Sequence, residues 1–231
     1  MRTVLGFIEK SGFPVLHPQS DAWLSAGEAS RYRGLTFARR QESYLLGRLS
    51  AKRALGRAFG EANLRRIDIP SGVFDQPLVL YPTREPHEVS LTHNDWGALA
   101  IAFPSGHPMG LDLETPAPER LGTILAQLTP SERQWVEPQP LWLATLAWTA
   151  REALSKALRC GLMVSMEVLE VTSPTLLEPG VWQGRFRHFA QYQFTAWRRA
   201  GGILALVHPR HSRLTGSPKG LAAMLEPVPR G

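Results

Sequence analysis

Apolar positions along the chain recur with two periods, and each period predicts a kind of element. From Arg33 to Gly60, in RGLTFARRQESYLLGRLSAKRALGRAFG, residues Tyr44, Leu45, Leu49 and Leu55 fall near helical spacing, with Arg48, Lys52 and Arg53 on neighbouring faces. This predicts a basic helix stopped by Gly60, its cations forming a solvated face. After a loop around FDQP, the segment VSLTHNDWGALAIAF reads as two strands with a tight turn at Asn94–Asp95. PSGHP, from Pro104 to Pro108, is dense in turn formers and is the candidate joint between two halves. MGLDLE then alternates as a strand. Thr129-Pro130-Ser131-Glu132 reads as a helix start, with Thr as N-cap, Pro at the first helical position and Glu closing a capping box. A helix from about Leu141 to Arg159 follows, with Gly161 placed to end it. FRHFAQYQFTAW and ILALVH read as strands joined at RRAGG, and the tail from Ser212 reads as weakly structured.

Each half thus offers a helix and antiparallel strands. The expected fold class is α+β, as two pseudo-symmetric subdomains: residues 1–104, residues 105–211 with a candidate metal site, and a tail over 212–231. No close sequence repeat is visible, so the pseudo-repeat rests on element order.

Composition narrows the chemistry. With 231 residues the chain is long enough for a proper core. The 26 basic against 20 acidic side chains suit an anionic ligand or an acidic partner. Cys160 is the only cysteine, which excludes an internal disulfide and a thiolate zinc site. The histidines lack metalloprotease spacing. Glu9 and Lys10 interrupt the first apolar run, and no stretch approaches the ~18 apolar residues of a membrane span. A cytoplasmic location without membrane contact is the expectation.

Three short motifs carry candidate chemistry. In GLDLE, alternation puts Asp112 and Glu114 on one face, about 7 Å apart along the strand, and Leu111 and Leu113 on the other. Two such carboxylates suit an oxygen-loving cation such as Mg²⁺, or they are simply a charged strand edge. In WTAREALSK, Trp148, Glu152 and Lys156 follow a spacing of four and form one stripe, either a third carboxylate with a phosphate-reaching lysine or a surface ion pair. In VSLTHND, His93 ends a strand and could donate to a phosphate beside Thr92, or serve a structural hydrogen bond. Taken singly, none of the three decides.

Together and in this order, LTH (Leu91 to His93), GLDLE (Gly110 to Glu114) and WTAREALSK (Trp148 to Lys156) resemble the 4′-phosphopantetheinyl transferases, specifically the larger monomeric surfactin-synthetase type. FARRQESYLLGRLSAKRAL resembles that family's basic first helix, and LTPSERQW its segment before the motif helix. The resemblance spans about Phe37 to Gly161. It implies an enzyme that moves the 4′-phosphopantetheine arm of coenzyme A to a serine of an acyl or peptidyl carrier protein, with Mg²⁺, releasing 3′,5′-ADP. By position, Asp112, Glu114 and Glu152 would surround the metal. Glu152 would be the base for the serine hydroxyl, and Lys156 would meet the leaving phosphate. His93 and Thr92 would hold cofactor phosphates, and Arg48 and Arg53 would meet the 3′-phosphate. Glu132 is assigned to the capping box and not to the catalytic set.

Two positions depart from the family pattern. Where Gly-Lys-Pro is usual, this chain has Asp75-Gln76-Pro77, so the cofactor contact at Gln76 and Pro77 lacks a cation. The resulting expectation is weaker coenzyme A binding, tightened by Gln76→Lys. Arg151 replaces a lysine in the helix motif, which keeps the charge and changes its geometry. A competing reading is a coenzyme-A-binding paralogue without transferase activity, acting as a scaffold. A nucleic-acid-binding module would need clustered basic and aromatic residues in a known binding pattern, and the sequence shows no such pattern.

Overall fold

A computed structural model describes residues 3–199 and 202–212. The chain divides into two compact units between His107 and Pro108. The RRAGG turn and the tail beyond Ser212 fall wholly or partly outside the described residues.

The first unit contains β1 (Val4–Glu9), α1 (Phe13–Leu16), α2 (Ala26–Arg33), α3 (Ala38–Phe59), β2 (His87–Asn94) and β3 (Gly97–Pro104). Its strands form an antiparallel sheet in the order β1-β3-β2. Asn94 pairs with Gly97, so the tight turn is Asp95–Trp96, one residue later than the pattern suggested. The Asn94 side chain accepts from the Trp96 N–H at 2.9 Å, which closes the turn from inside the strand end. The expected helix over 33–60 begins only at Ala38, Arg33 being the last residue of the preceding helix α2, and Gly60 ends α3 with φ 68.

The solvated cationic face does not hold for Lys52, which is fully buried. Its Nζ lies 2.6 Å from Glu28 Oε2 and donates to the carbonyls of Trp23 and Leu64, each at 3.0 Å. The reason is tertiary: α2 and the segment around Trp23 cover the side of α3 that faces away from the sheet. A buried ammonium with three oxygen partners is tolerable; one without would not be.

The second unit contains β4 (Gly110–Glu114), α4 (Pro118–Gln127), α5 (Pro130–Val136), α6 (Pro140–Leu158), β5 (Thr175–Glu178), β6 (Val181–Arg185), β7 (Tyr192–Arg199) and β8 (Gly202–Pro209). The sheet is antiparallel in the order β4-β8-β7-β6-β5. The apolar pattern does not predict β5 and β6, and the expected strand over FRHFAQYQFTAW begins only at Tyr192. Before it, Phe186 makes an isolated bridge to Val171, and a turn runs from Phe189 to Tyr192.

Helix α6 lies on this sheet over the small residues Ala196 and Ala205, within a core that includes Leu146, Leu154 and Phe194. It ends at Leu158, and the left-handed closing residue is Arg159, φ 57, rather than Gly161. Gly161 instead opens a short 3-10 turn.

The two units share one internal plan. A strand, a long helix and a hairpin give β1-β3-β2 in the first and β4-β8-β7, extended by β6 and β5, in the second. The first strand of each plan carries a glycine where its helix comes closest. A Cβ on Gly6 would collide with the Ser50 carbonyl of α3, and one on Gly110 with the Ala153 carbonyl of α6. The α+β class with two antiparallel sheets, each packed with helices, is therefore as expected, and the repeat is one of topology.

Candidate active site

In the second unit, β4 and α6 bring the predicted carboxylates together. Asp112 pairs with Ala205, on the sheet face that α6 covers, so its side chain is buried although β4 is an edge strand. Leu111 and Leu113 are buried on the opposite face. Lys156 Nζ stands 2.7 Å from Asp112 Oδ1 and donates to the Leu111 carbonyl at 3.1 Å. Glu114, at the strand end, is held by Arg120 of α4 through a 2.8 Å ion pair.

Glu152, one turn before Lys156, is half-buried, and its carboxyl is pushed up to about 7. Burial is the main cause, followed by the Asp112 charge; Lys156 opposes the rise, Glu114 adds to it and Arg120 opposes it. Three carboxylates thus share one field with two cations. The close approach at Gly110 sets this geometry, because any side chain there would push β4 away from α6. Trp148, the first member of the stripe, packs against the same buried cluster as Leu121 and Leu125 of α4, the helix that carries Arg120 to the site.

Among the described residues, no three such side chains form a ready cation cage. The donor set nevertheless suits a hard divalent ion. It offers only carboxylate oxygens, and the Asp112 and Glu114 charges raise the cost of ionising Glu152.

Arg151 takes no part in this cluster. It is fully buried and meets Glu132 through two guanidinium nitrogens, Nε at 3.0 Å and Nη2, while Nη1 donates to the Gln127 carbonyl at 2.9 Å. Glu132 closes the expected capping box with Thr129 and also accepts from the Val171 N–H at 2.9 Å. One carboxylate therefore joins α5, α6 and the segment entering Val171. A lysine could not offer that two-point fork, which accounts for the arginine. Capping was legible; the ion pair across 19 residues was not.

In the first unit, a cleft of about 470 Å³ opens between α2, α3 and β2. Arg48 and His93 line it, together with Arg31, Arg39, Arg40 and Tyr44, and among the described residues no carboxylate does. Arg48 is 8% exposed, and its guanidinium lies over the Tyr44 ring at 5.0 Å. Its buried Nε has no hydrogen-bond partner among the described residues. The nearest acid is Glu28 at 4.0 Å, a carboxylate already engaged by Lys52 and by the backbone N–H groups of Ser25 and Ile69. One buried arginine, three exposed ones and an aromatic wall, with no acid among the described lining residues, suit an anionic group.

Arg53, Gln76, Pro77 and Thr92 do not line the cleft. Arg53 is exposed, about 140° around α3 from Arg48 at 3.6 residues per turn. Thr92 alternates to the other strand face and is buried there. Gln76 is folded into its own loop: its Oε1 accepts from the Phe74 N–H at 2.8 Å, and its carbonyl from the Gly72 N–H at 2.7 Å. Pro77 bridges Ser71 in the same loop. Asp75 sits at φ 57, a left-handed conformation that glycine adopts freely and aspartate tolerates. The loop is tied to the cleft only indirectly, by Arg31 Nη1 donating to Ser71 Oγ at 2.9 Å. Arg31, Arg39 and Arg40 escaped the sequence reading because basic residues on helix surfaces are usually solvated.

Residues 108–207 match the family model ACPS, the 4′-phosphopantetheinyl transferase superfamily. The matched residues all lie in the second unit. The matched segment is fewer than half of the 231 residues and contains β4 through most of β8. Among solved structures, the chain is similar to a holo-(acyl-carrier-protein) synthase from Bacillus anthracis in complex with CoA (3′,5′-ADP), at 21% identity over 44% of this chain and 93% of that one, TM-score 0.41. It is also similar to the holo-[acyl-carrier-protein] synthase of Neisseria meningitidis, at 15% identity over 45% and 96%, TM-score 0.40. A third is that of Helicobacter pylori in complex with coenzyme A, at 14% identity over 45% and 99%, TM-score 0.37. No curated protein matches the chain. Among the described residues, no helix is long and apolar enough to cross a membrane.

Proposed function

We propose that the chain transfers the 4′-phosphopantetheine arm of coenzyme A to a serine hydroxyl of an acyl or peptidyl carrier protein, releasing 3′,5′-ADP. The observation that carries this reading is the cluster of Asp112, Glu114, Glu152 and Lys156 on β4 and α6, with Glu152 held near 7. The serine oxygen would bond to the phosphorus that bears pantetheine as the bond from that phosphorus to the leaving phosphate oxygen breaks. Glu152, directly or through a water, would take the serine proton, since a carboxylate poised near neutral pH is an effective base. Lys156, leaving Asp112, would meet the charge that develops on the departing phosphate. Asp112, Glu114 and Glu152 would hold Mg²⁺, which when bound supplies charge neutralisation at the pyrophosphate.

In the first unit, Arg48 and His93 would recognise the 3′-phosphate, with Arg31, Arg39 and Arg40 adding charge. The shared strand–helix–hairpin plan of the two units supports the larger, two-unit surfactin-synthetase type. Net basic charge suits an acidic carrier protein. The Asp75-Gln76-Pro77 loop favours one other reading, a coenzyme-A-binding scaffold without transfer.

Release of 3′,5′-ADP from coenzyme A, followed by chromatography with Mg²⁺ and a panel of apo carrier proteins, tests the proposal. Release that requires both a carrier and Glu152 supports it. Coenzyme A binding without release in the presence of every carrier would favour the scaffold.

A further inference from the structure

Both acids of β4 are occupied by cations, and the two cations are held differently. Lys156 is anchored at two points, to Asp112 Oδ1 and to the Leu111 carbonyl, and its side chain is 31% exposed. Arg120 stands on the first turn of α4, 47% exposed, and its guanidinium makes one hydrogen bond among the described residues, to Glu114 Oε2 at 2.8 Å. Nothing else fixes that fork, so it can leave Glu114 at little cost.

Resting on the metal site of the proposed function, we infer that Arg120 is a positioning residue that makes capture of the divalent cation depend on coenzyme A. Without cofactor, a cation approaching Glu114 must displace the guanidinium or sit beside its positive charge, and either weakens binding. A diphosphate offers the same guanidinium a better acceptor in fork geometry, which frees Glu114. Cation and cofactor then favour one another, and the coupling is reciprocal: each raises the other's affinity by the same factor.

The test is Mn²⁺ binding to the full chain, read from the electron paramagnetic resonance of free Mn²⁺, with and without coenzyme A. Wild type, Arg120→Gln and Arg120→Lys are compared. Without coenzyme A, Arg120→Gln should bind Mn²⁺ about fivefold tighter, equal to about 1 kcal/mol at 1.4 kcal/mol per tenfold. That is the scale of a half-exposed ion pair. Arg120→Lys should stay near wild type, and coenzyme A should close the gap between wild type and Arg120→Gln. A merely structural role predicts the opposite sign, because losing a support for Glu114 would loosen the ion. Equal or weaker Mn²⁺ binding by Arg120→Gln, with normal binding by wild type, overturns this inference alone. No saturable Mn²⁺ binding by any of the three proteins, with or without coenzyme A, overturns both it and the metal site on which it rests.

Discussion

Replacing Glu132 by Gln removes one oxygen from a heavily used carboxylate of the second unit. That carboxylate accepts from Arg151 Nε at 3.0 Å, from Arg151 Nη2, and from the N–H groups of Thr129 and Val171, each at 2.9 Å. Both members of the ion pair are fully buried, so solvent does not screen the loss. Gln keeps one acceptor, but its NH₂ group must then face an N–H donor, and the Arg151 charge is left buried and uncompensated. Breaking a buried pair from one side costs about 3–5 kcal/mol, and that is the expected loss. Urea unfolding of the intact protein, followed by tryptophan fluorescence, measures it as a lowered midpoint for the second unit. Adding Arg151→Met to Glu132→Gln should recover part of the loss, because the stranded cation is gone. A loss below about 1 kcal/mol, the range of exposed pairs, would refute the reasoning.

Further expectations follow from other sites. Gly110→Ala should destabilise at the upper end of overpacking, about 3 kcal/mol, since its Cβ would overlap the Ala153 carbonyl. Gly122→Ala, with open space around it in α4, should instead gain up to about 1 kcal/mol in the same melts. Gln76→Lys should not tighten coenzyme A binding by calorimetry, because the Gln76 amide organises its own loop; a tightening of about threefold or more would show that this position reaches the cofactor. Glu152 binds protons more readily folded, near 7, than at its ordinary 4.5. In metal-free protein, its contribution to stability is thus full below about 4.5 and declines as pH rises through about 7. Glu152→Gln should remove that decline from chelator-treated unfolding curves, and an unchanged pH slope would contradict the perturbed carboxyl.

The sequence made legible what local pattern controls. The motif helix, the β4 alternation, the Thr129 capping box and the Gly60 stop all depend on neighbours within a few residues. What it hid depends on distant chain. Lys52 reads as a surface cation until α2 delivers Glu28 to it, and Arg151 reads as a variant lysine until Glu132 folds over it. Strand β5, four exposed residues, has no alternation to detect. Arg159 took the left-handed position because the hydrogen bonds closing α6 fall there, although a glycine stands two residues later. In the site, the Asp112, Glu152 and Lys156 cluster follows from strand and helix periodicity. Arg120, six residues past Glu114, could be placed only by the fold.

Transfer of phosphopantetheine at this site is read from the intact mass of an apo carrier protein after incubation with the protein, coenzyme A and Mg²⁺. The carrier should gain one phosphopantetheine on its serine, and the gain should be absent with Glu152→Gln. An unmodified mass for every acyl and peptidyl carrier tried, with coenzyme A bound to the protein, would contradict it.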